Sequence, residues 1–305
     1  MTSRGGEVHG IMSFAIEFIN EEGRAALQRQ LNTLIQAYPT FKIKVNAYGN
    51  GLLVSGEDEL ELMEFREKIT PQYEANIGKL KVSYKESIRR QAEADGKYIR
   101  QAGGSGNYGH CKLRVEPGAG YEFINDIKGG VVPEEYVKHI DQGVQAALEL
   151  GILAGYRVVD VKVTLFDGSY HEVDSNEMAF KIAGSIALKE AARKALPVLL
   201  EPVMAVEVTV PEEFMGMIIG DINSRRGRIE GMEHTTGTQV IRATIPLAEM
   251  LSSSEHGRPR YPMHFAGYQP APPPPGQFGD DAGAHVRKPT TPKTGAGSAA
   301  ADLDD

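Results

Sequence analysis

The chain of 305 residues has no tryptophan and a single cysteine, Cys111, so an internal disulfide is excluded and a reducing compartment is expected. No apolar run approaches the length of a bilayer span, so no membrane partner is expected. The opening MTSRGGEVHG lacks the apolar centre of a signal peptide, which argues against export and for the cytoplasm. Positive charge is scarce overall: 33 Lys and Arg stand against 41 Asp and Glu, a net charge of −8. Affinity for phosphate backbones comes from Lys and Arg, so this balance counts mildly against nucleic acid. No GxxxxGK[ST] stretch is present, which excludes a Walker-type phosphate loop; no GTP site and no other cofactor is expected. The eight histidines form neither HExxH nor a metal-spaced pairing with cysteine, so no metal is expected.

What is present is ordinary globular material, 41% hydrophobic and 24% charged, long enough for two or three domains. After a lead-in over residues 1–10, a first unit over 11–78 reads strand (MSFAIEFI), helix (Glu22–Tyr38), strand (Phe41–Ala47), strand (Leu52–Ser55), helix (Glu57–Ile69) and strand (Tyr73–Ile77). The first helix offers Ala26, Leu27, Leu31, Leu34 and Ile35 to a core; the second carries Leu60, Met63 and Phe65; Asn50-Gly51 signals a turn. That order is a split βαβ sandwich.

A second unit covers 79–198. Lys81–Arg100 reads as a long bent strand pair, Cys111–Val115 as a strand, Pro133–Leu150 as a helix and Arg157–Phe166 as a strand. Asp174–Asn176 then caps a helix that runs through Lys194 and buries Met178, Ile182, Ile186 and Leu188; Asp174 and Glu177 form a capping-box-like pair. A third unit over 199–268 repeats the split βαβ order, and the Pro-, Gly- and Ala-rich segment 269–305 cannot bury enough apolar surface to fold.

Two polar tips stand out. Arg100–His110 (RQAGGSGNYGH) carries Gly103, Gly104, Ser105, Gly106, Asn107, Tyr108 and His110, and Asp167–Ser175 carries Ser169, Tyr170 and His171. Glycines admit close backbone approach, and Tyr and His stack on or hydrogen-bond to bases. From residue 79 to 114 there are nine Lys and Arg against three acids, with Lys97, Arg100 and Lys112 flanking the first tip. A second basic cluster is Arg225, Arg226 and Arg228; taken alone it terminates a helix, with Gly227 as the stop. Ser169, Ser175, His171 and Asp174 lie within seven residues, so a hydrolase triad is improbable and Asp174 is better read as a helix cap. The pattern suggests a surface that meets RNA. Its rival, a small phosphotransfer enzyme, lacks the lysine-bearing loop.

The stretches SYKESIRRQAEADGKYIRQAGGSGNYGH, VVDVKVTLFDGSYHEVDSNEMAFKIAGSIALKEAARKALPVLLEP and EEFMGMIIGDINSRRGRIEGM resemble the C-terminal half of bacterial elongation factor G over most of residues 10–268. The resemblance implies an α+β fold: two ferredoxin-like split βαβ sandwiches, matching the family's third and fifth domains, flank a central ribosomal-protein-like β-α-β domain, matching the fourth. The family's GTPase and barrel domains have no counterpart here, so no enzymatic activity is expected. The implied partner is the ribosome, through ribosomal RNA and the mRNA–tRNA duplex; a separate GTPase protein is a partner only under the alternative given below. GGSGNYGH and SYH match the two tip loops that reach the decoding region; His171 matches the family's tip histidine, and Arg225 and Arg226 would meet large-subunit RNA. Three departures are visible. Ser105 and Asn107 replace the Arg and Gln of the usual GGRGQYGH, GEDELELMEF replaces GMGELHLEI, and the segment after LAEML is short. The alternative within this resemblance is a regulatory or ribosomal-protection-type paralog, or a truncated factor that needs its GTPase from another chain.

Overall fold

The structure is a computed structural model that describes residues 10–22, 25, 29, 33, 36–45, 51–69, 75–102, 105–235, 237–254 and 261–272. Three sheets organise these residues, and the fold is α+β. The first sheet contains β1 (Met12–Phe18), β2 (Lys42–Val45), β3 (Gly51–Gly56) and β4 (Ala75–Ile77) in the order β2-β3-β1-β4, all antiparallel. Alternation along β1 buries Met12, Phe14 and Ile16 and turns Ser13, Ala15 and Glu17 to the opposite face. Helix α1 (Glu59–Ile69) lays Leu62, Phe65 and Ile69 on the buried face, whereas Leu60 is exposed. The carboxylate of Asp58 caps α1 by accepting from the Leu60 and Glu61 amides at 2.8 and 3.0 Å. The described residues among 21–37 are helical, as expected, but Ala26, Leu27, Leu31, Leu34, Ile35 and Asn50 lie outside the described residues.

The segment read as one bent strand pair, Lys81–Arg100, is three strands in three different sheets. β5 (Lys81–Val82) pairs with β1, β6 (Lys85–Ile88) pairs with the long strand β11 (Pro197–Pro211), and β7 (Ala92–Ala102) joins the central sheet. Alternation reports the extended backbone but not which sheet edge receives it. Glu86 fastens this crossing. Its fully buried carboxylate accepts four backbone N–H groups, from Ile152 (2.5 Å), Leu153 (2.8 Å), Ala154 (2.8 Å) and Tyr156 (3.1 Å).

The central sheet has the order β7-β8-β10-β9, with β8 (Ser105–Pro117), β9 (Tyr121–Asn125) and β10 (Val161–Ser169); β9 and β10 are parallel and the other pairs antiparallel. Its core joins Cys111, Leu113, Val115, Val163 and Leu165 to α2 (Glu134–Leu150) and α3 (Glu177–Lys194). The face of α3 differs from the expected one. Met178 is 62% exposed, Ile182 and Ile186 are only partly buried, and the inward stripe is Ala179, Phe180, Ala183, Ala187, Leu188 and Ala191. Small residues serve there because the helix lies very close to the sheet: a Cβ on Gly96 would stand 2.1 Å from the Ala183 carbonyl oxygen, and one on Gly109 would stand 2.4 Å from that of Ala179.

In the third sheet, β12 (Arg228–Thr235), β13 (Thr238–Pro246) and β14 (Met263–Pro270) combine with β11 in the antiparallel order β12-β13-β11-β14. Helices α4 (Met215–Ser224) and α5 (Leu247–Ser254) make the connections, with a 3₁₀ turn at Glu212–Phe214 before α4. Strand, helix, strand, strand, helix, strand in this spatial order is the split βαβ arrangement. β14 continues through Pro270, two residues into the stretch read as an unfolded tail; beyond Pro272 the tail lies outside the described residues.

Candidate nucleic-acid interface

The first tip is a strand ribbon. β7 and β8 stay in register out to Ala102↔Ser105; Gly103 and Gly104 lie outside the described residues. Gly106, Asn107, Tyr108 and His110, read as loop, are strand residues of β8. β10 ends opposite His110, so the ribbon extends past the rest of the sheet.

The second tip lies alongside this ribbon. The Tyr108 amide donates to the Asp174 carbonyl (2.8 Å), and the Gly106 amide donates to Asp174 Oδ1 (3.1 Å). Asn176 Nδ2 donates to Asn107 Oδ1 (2.7 Å). Asn176 Oδ1 in turn accepts from the Ala179 amide, so Asn176 is the N-cap of α3. Asp174 is therefore not the cap. It sits two residues too early, and its carboxylate holds the first tip. Asn107, expected to address a base edge, is tied to the helix cap.

Behind the tips, Ser169 Oγ lies 2.7 Å from both the Tyr108 hydroxyl and His110 Nδ1, and His110 Nε2 lies 2.6 Å from Asp95 Oδ1. Ser169, His110 and Asp95 thus stand in the sequence of a charge relay, although this is not the set weighed from sequence. Ser169 is bridged from two sides, so the network fixes the rings rather than presenting an open nucleophile. The groups left for a partner are the exposed Tyr170 and His171, the latter tilted against the Tyr108 ring at 4.6 Å between centroids. Val173, at 92% exposure, and Ile99 on β7 extend the same end, and sequence reading missed both. An apolar residue inside a polar loop was the available signal for Val173.

The expected basic support divides in two. Lys97 and Arg100 are exposed on β7, with Lys97 Nζ 5.8 Å from the Tyr108 ring centroid. Lys112 is neutralised locally. A bulge at Phe166 brings Asp167 opposite Lys112, and the two pair at 2.8 Å. Lys112 holds the Asp167 carboxyl below the usual carboxylate range. Arg225 is 1% exposed, paired with Asp221 at 2.8 Å and stacked near Tyr261, so it has no surface to offer RNA. Arg226 grips Glu201, itself 2% exposed, through two bonds of 2.8 and 2.9 Å, and reaches Glu249 at 2.7 Å. The helix stop also differs from expectation. The left-handed residue is Arg226 (φ 54°), while the Arg226 and Gly227 amides donate to Asn223 and Ile222 in a Schellman end. Gly227 serves close approach, since a Cβ there would meet Ile222 at 2.6 Å.

Residues 80–196 match the family description "Elongation factor G, domain IV", and residues 198–277 match "Elongation factor G C-terminus". A crystal structure of a protein from Thermus thermophilus is similar at 36% identity and a TM-score of 0.66, over 89% of this chain. The chain spans 42% of the length of that protein. The tips and the bridging network fall within the domain IV match and the Arg226 anchor within the C-terminal match, and the chain belongs to the elongation factor G family.

Proposed function

We propose that this protein binds the ribosome at the translation-factor site, with the β7–β8 ribbon and the Tyr170–Asn176 loop directed at the decoding region. The observation that carries this reading is the fastening of the two tips: Asp174 and Asn176 hold the ribbon from the second loop, leaving Tyr170 and His171 exposed beside it. A preorganised pair of tips loses little freedom on meeting RNA, and exposed rings offer stacking to unpaired bases. Lys97 and Arg100 supply phosphate contacts on the flank. GTP hydrolysis has no phosphate loop within these residues, so any GTP-driven step draws on a GTPase module outside them.

A regulatory or protection-type role is the second reading. The engagement of Asn107 by Asn176 favours it, because that side chain is withdrawn from a partner. Cosedimentation with ribosomes, with and without an antibiotic that blocks the factor site, tests the main reading. Binding that the antibiotic abolishes supports it; no cosedimentation at low salt refutes it. Stimulation of translocation separates a working factor from a regulatory one.

A further inference from the structure

A second basic surface lies on the first sheet, on the face away from its core. Register aligns Lys42, Ser55, Ser13 and Lys81 in one row across β2, β3, β1 and β5. Lys44 lies two residues along β2 on the same face, opposite Leu53. The row opens into a cavity of about 190 Å³, where Lys42, Lys44, Lys85 and Arg157 gather with the hydroxyl-bearing Ser55 and Ser83. Among the described residues the one acid lining it, Glu149, is paired with Arg157 at 3.0 Å. Lys85 is half-buried, 4.2 Å from the Tyr268 ring centroid, and burial pushes its ammonium below the usual lysine range. Neighbouring hollows continue the track past Lys81 to Lys79, where Glu17 closes it.

In a chain of net charge −8 this is a concentrated cationic face. We propose that it binds the phosphodiester backbone of RNA, as a contact separate from the tips and independent of where they dock. Four cations gather at the cavity and Lys81 and Lys79 carry the row beyond it, which suits a row of phosphates better than a single anion. Residues two apart on a strand stand roughly 7 Å apart. Serine hydroxyls between lysines suit phosphate oxygens and 2′-hydroxyls. Tyr84 and Tyr268 also line the cavity, and stacking on a tyrosine ring accepts any base, so the contact is independent of sequence.

The test uses the full chain and a short fluorescent RNA duplex, with anisotropy followed over a series of KCl concentrations. The variants are Lys42→Gln/Lys44→Gln/Lys81→Gln and, for the tip flank, Lys97→Gln/Arg100→Gln. Each phosphate contact contributes about 0.9 to the slope of log K against log salt. The first variant should lower the slope by about two to three, additively with the second, and millimolar inorganic phosphate should not displace the duplex. An unchanged slope overturns the proposal. So does displacement by millimolar phosphate, which would mark a single-anion pocket. If the triple variant does not fold, lysine acetylation of the unaltered chain decides: the duplex should protect Lys42, Lys44, Lys81 and Lys85, and equal labelling with and without duplex overturns it. Failure to bind ribosomes would refute the factor-site reading while leaving this slope unaffected.

Discussion

Replacing Glu86 with alanine should unfold the central sheet far more readily than the loss of one side chain would suggest. The carboxylate is fully buried and accepts four backbone N–H groups between Ile152 and Tyr156. A donor stripped of a charged acceptor and left dry costs about 1–3 kcal/mol. Leu153 and Ala154 are exposed, so their amides regain water, whereas Ile152 and Tyr156 are partly buried. Two dry donors, together with the space left by the side chain, come to about 3–5 kcal/mol, a large share of the 5–15 kcal/mol typical of a domain. Glu86→Gln keeps one acceptor oxygen but turns an NH₂ toward the remaining donors, so about 2 kcal/mol is expected. Cys111 reports the event locally. It is buried in this same core, and burial pushes its thiol up to about 12, so it reacts only when the sheet opens. Urea titration with thiol labelling should show a lower midpoint for Glu86→Ala and an intermediate one for Glu86→Gln. A Glu86→Ala chain within about 1 kcal/mol of the parent would refute the reasoning.

Further expectations concern the tips. Asp174→Ala should cost about 1 kcal/mol and speed amide exchange at Gly106 about tenfold, because that donor loses its charged acceptor; unchanged exchange at Gly106 would count against the fastening. His171→Ala should change the melting midpoint little, since the ring is exposed and its contact with Tyr108 is worth about 1 kcal/mol at most, yet it should weaken ribosome binding; full retention of binding would remove His171 from the interface. Asp167→Asn should release Lys112 and steepen the salt dependence of RNA binding; a slope equal to the parent's would show that Lys112 does not face the partner. Lys112 lowers the Asp167 pKa in the folded chain, so the pair's stabilisation is present above the unfolded carboxylate value, near 4, and is lost as pH falls through the lower folded value. An NMR titration that places Asp167 above about 4 would contradict this.

The two split βαβ orders were legible because β1 alternates cleanly and β11 does so from Met204 to Val210. What stayed hidden was long-range. Nothing local to Glu86 announces four amides from residues 152–156, and charge counting set it down as one of three acids against nine bases. Asp174 matches a capping pattern, but Asn176 takes the cap because Gly106 claims the Asp174 carboxylate. GGSGNYGH reads as loop from its glycines, yet Gly109 is there to let α3 approach β8, and Ser105–His110 belong to that strand. Arg226 holds a left-handed position that composition assigns to Gly227, because two glutamates from other elements secure its guanidinium. The exposure of Tyr170 and His171 was legible because it follows from the local sequence.

The central claim, that the tips face the decoding region, is tested most directly by cleavage from Val173→Cys carrying a tethered iron–EDTA group. Val173 is 92% exposed, and Cys111 is buried with a thiol raised to about 12, so the label goes to one place. On ribosomes, the account predicts hydroxyl-radical cuts in the small-subunit RNA of the decoding region, lost when an antibiotic blocks the factor site. Cuts confined to other RNA segments, or none from a bound and labelled chain, would contradict it.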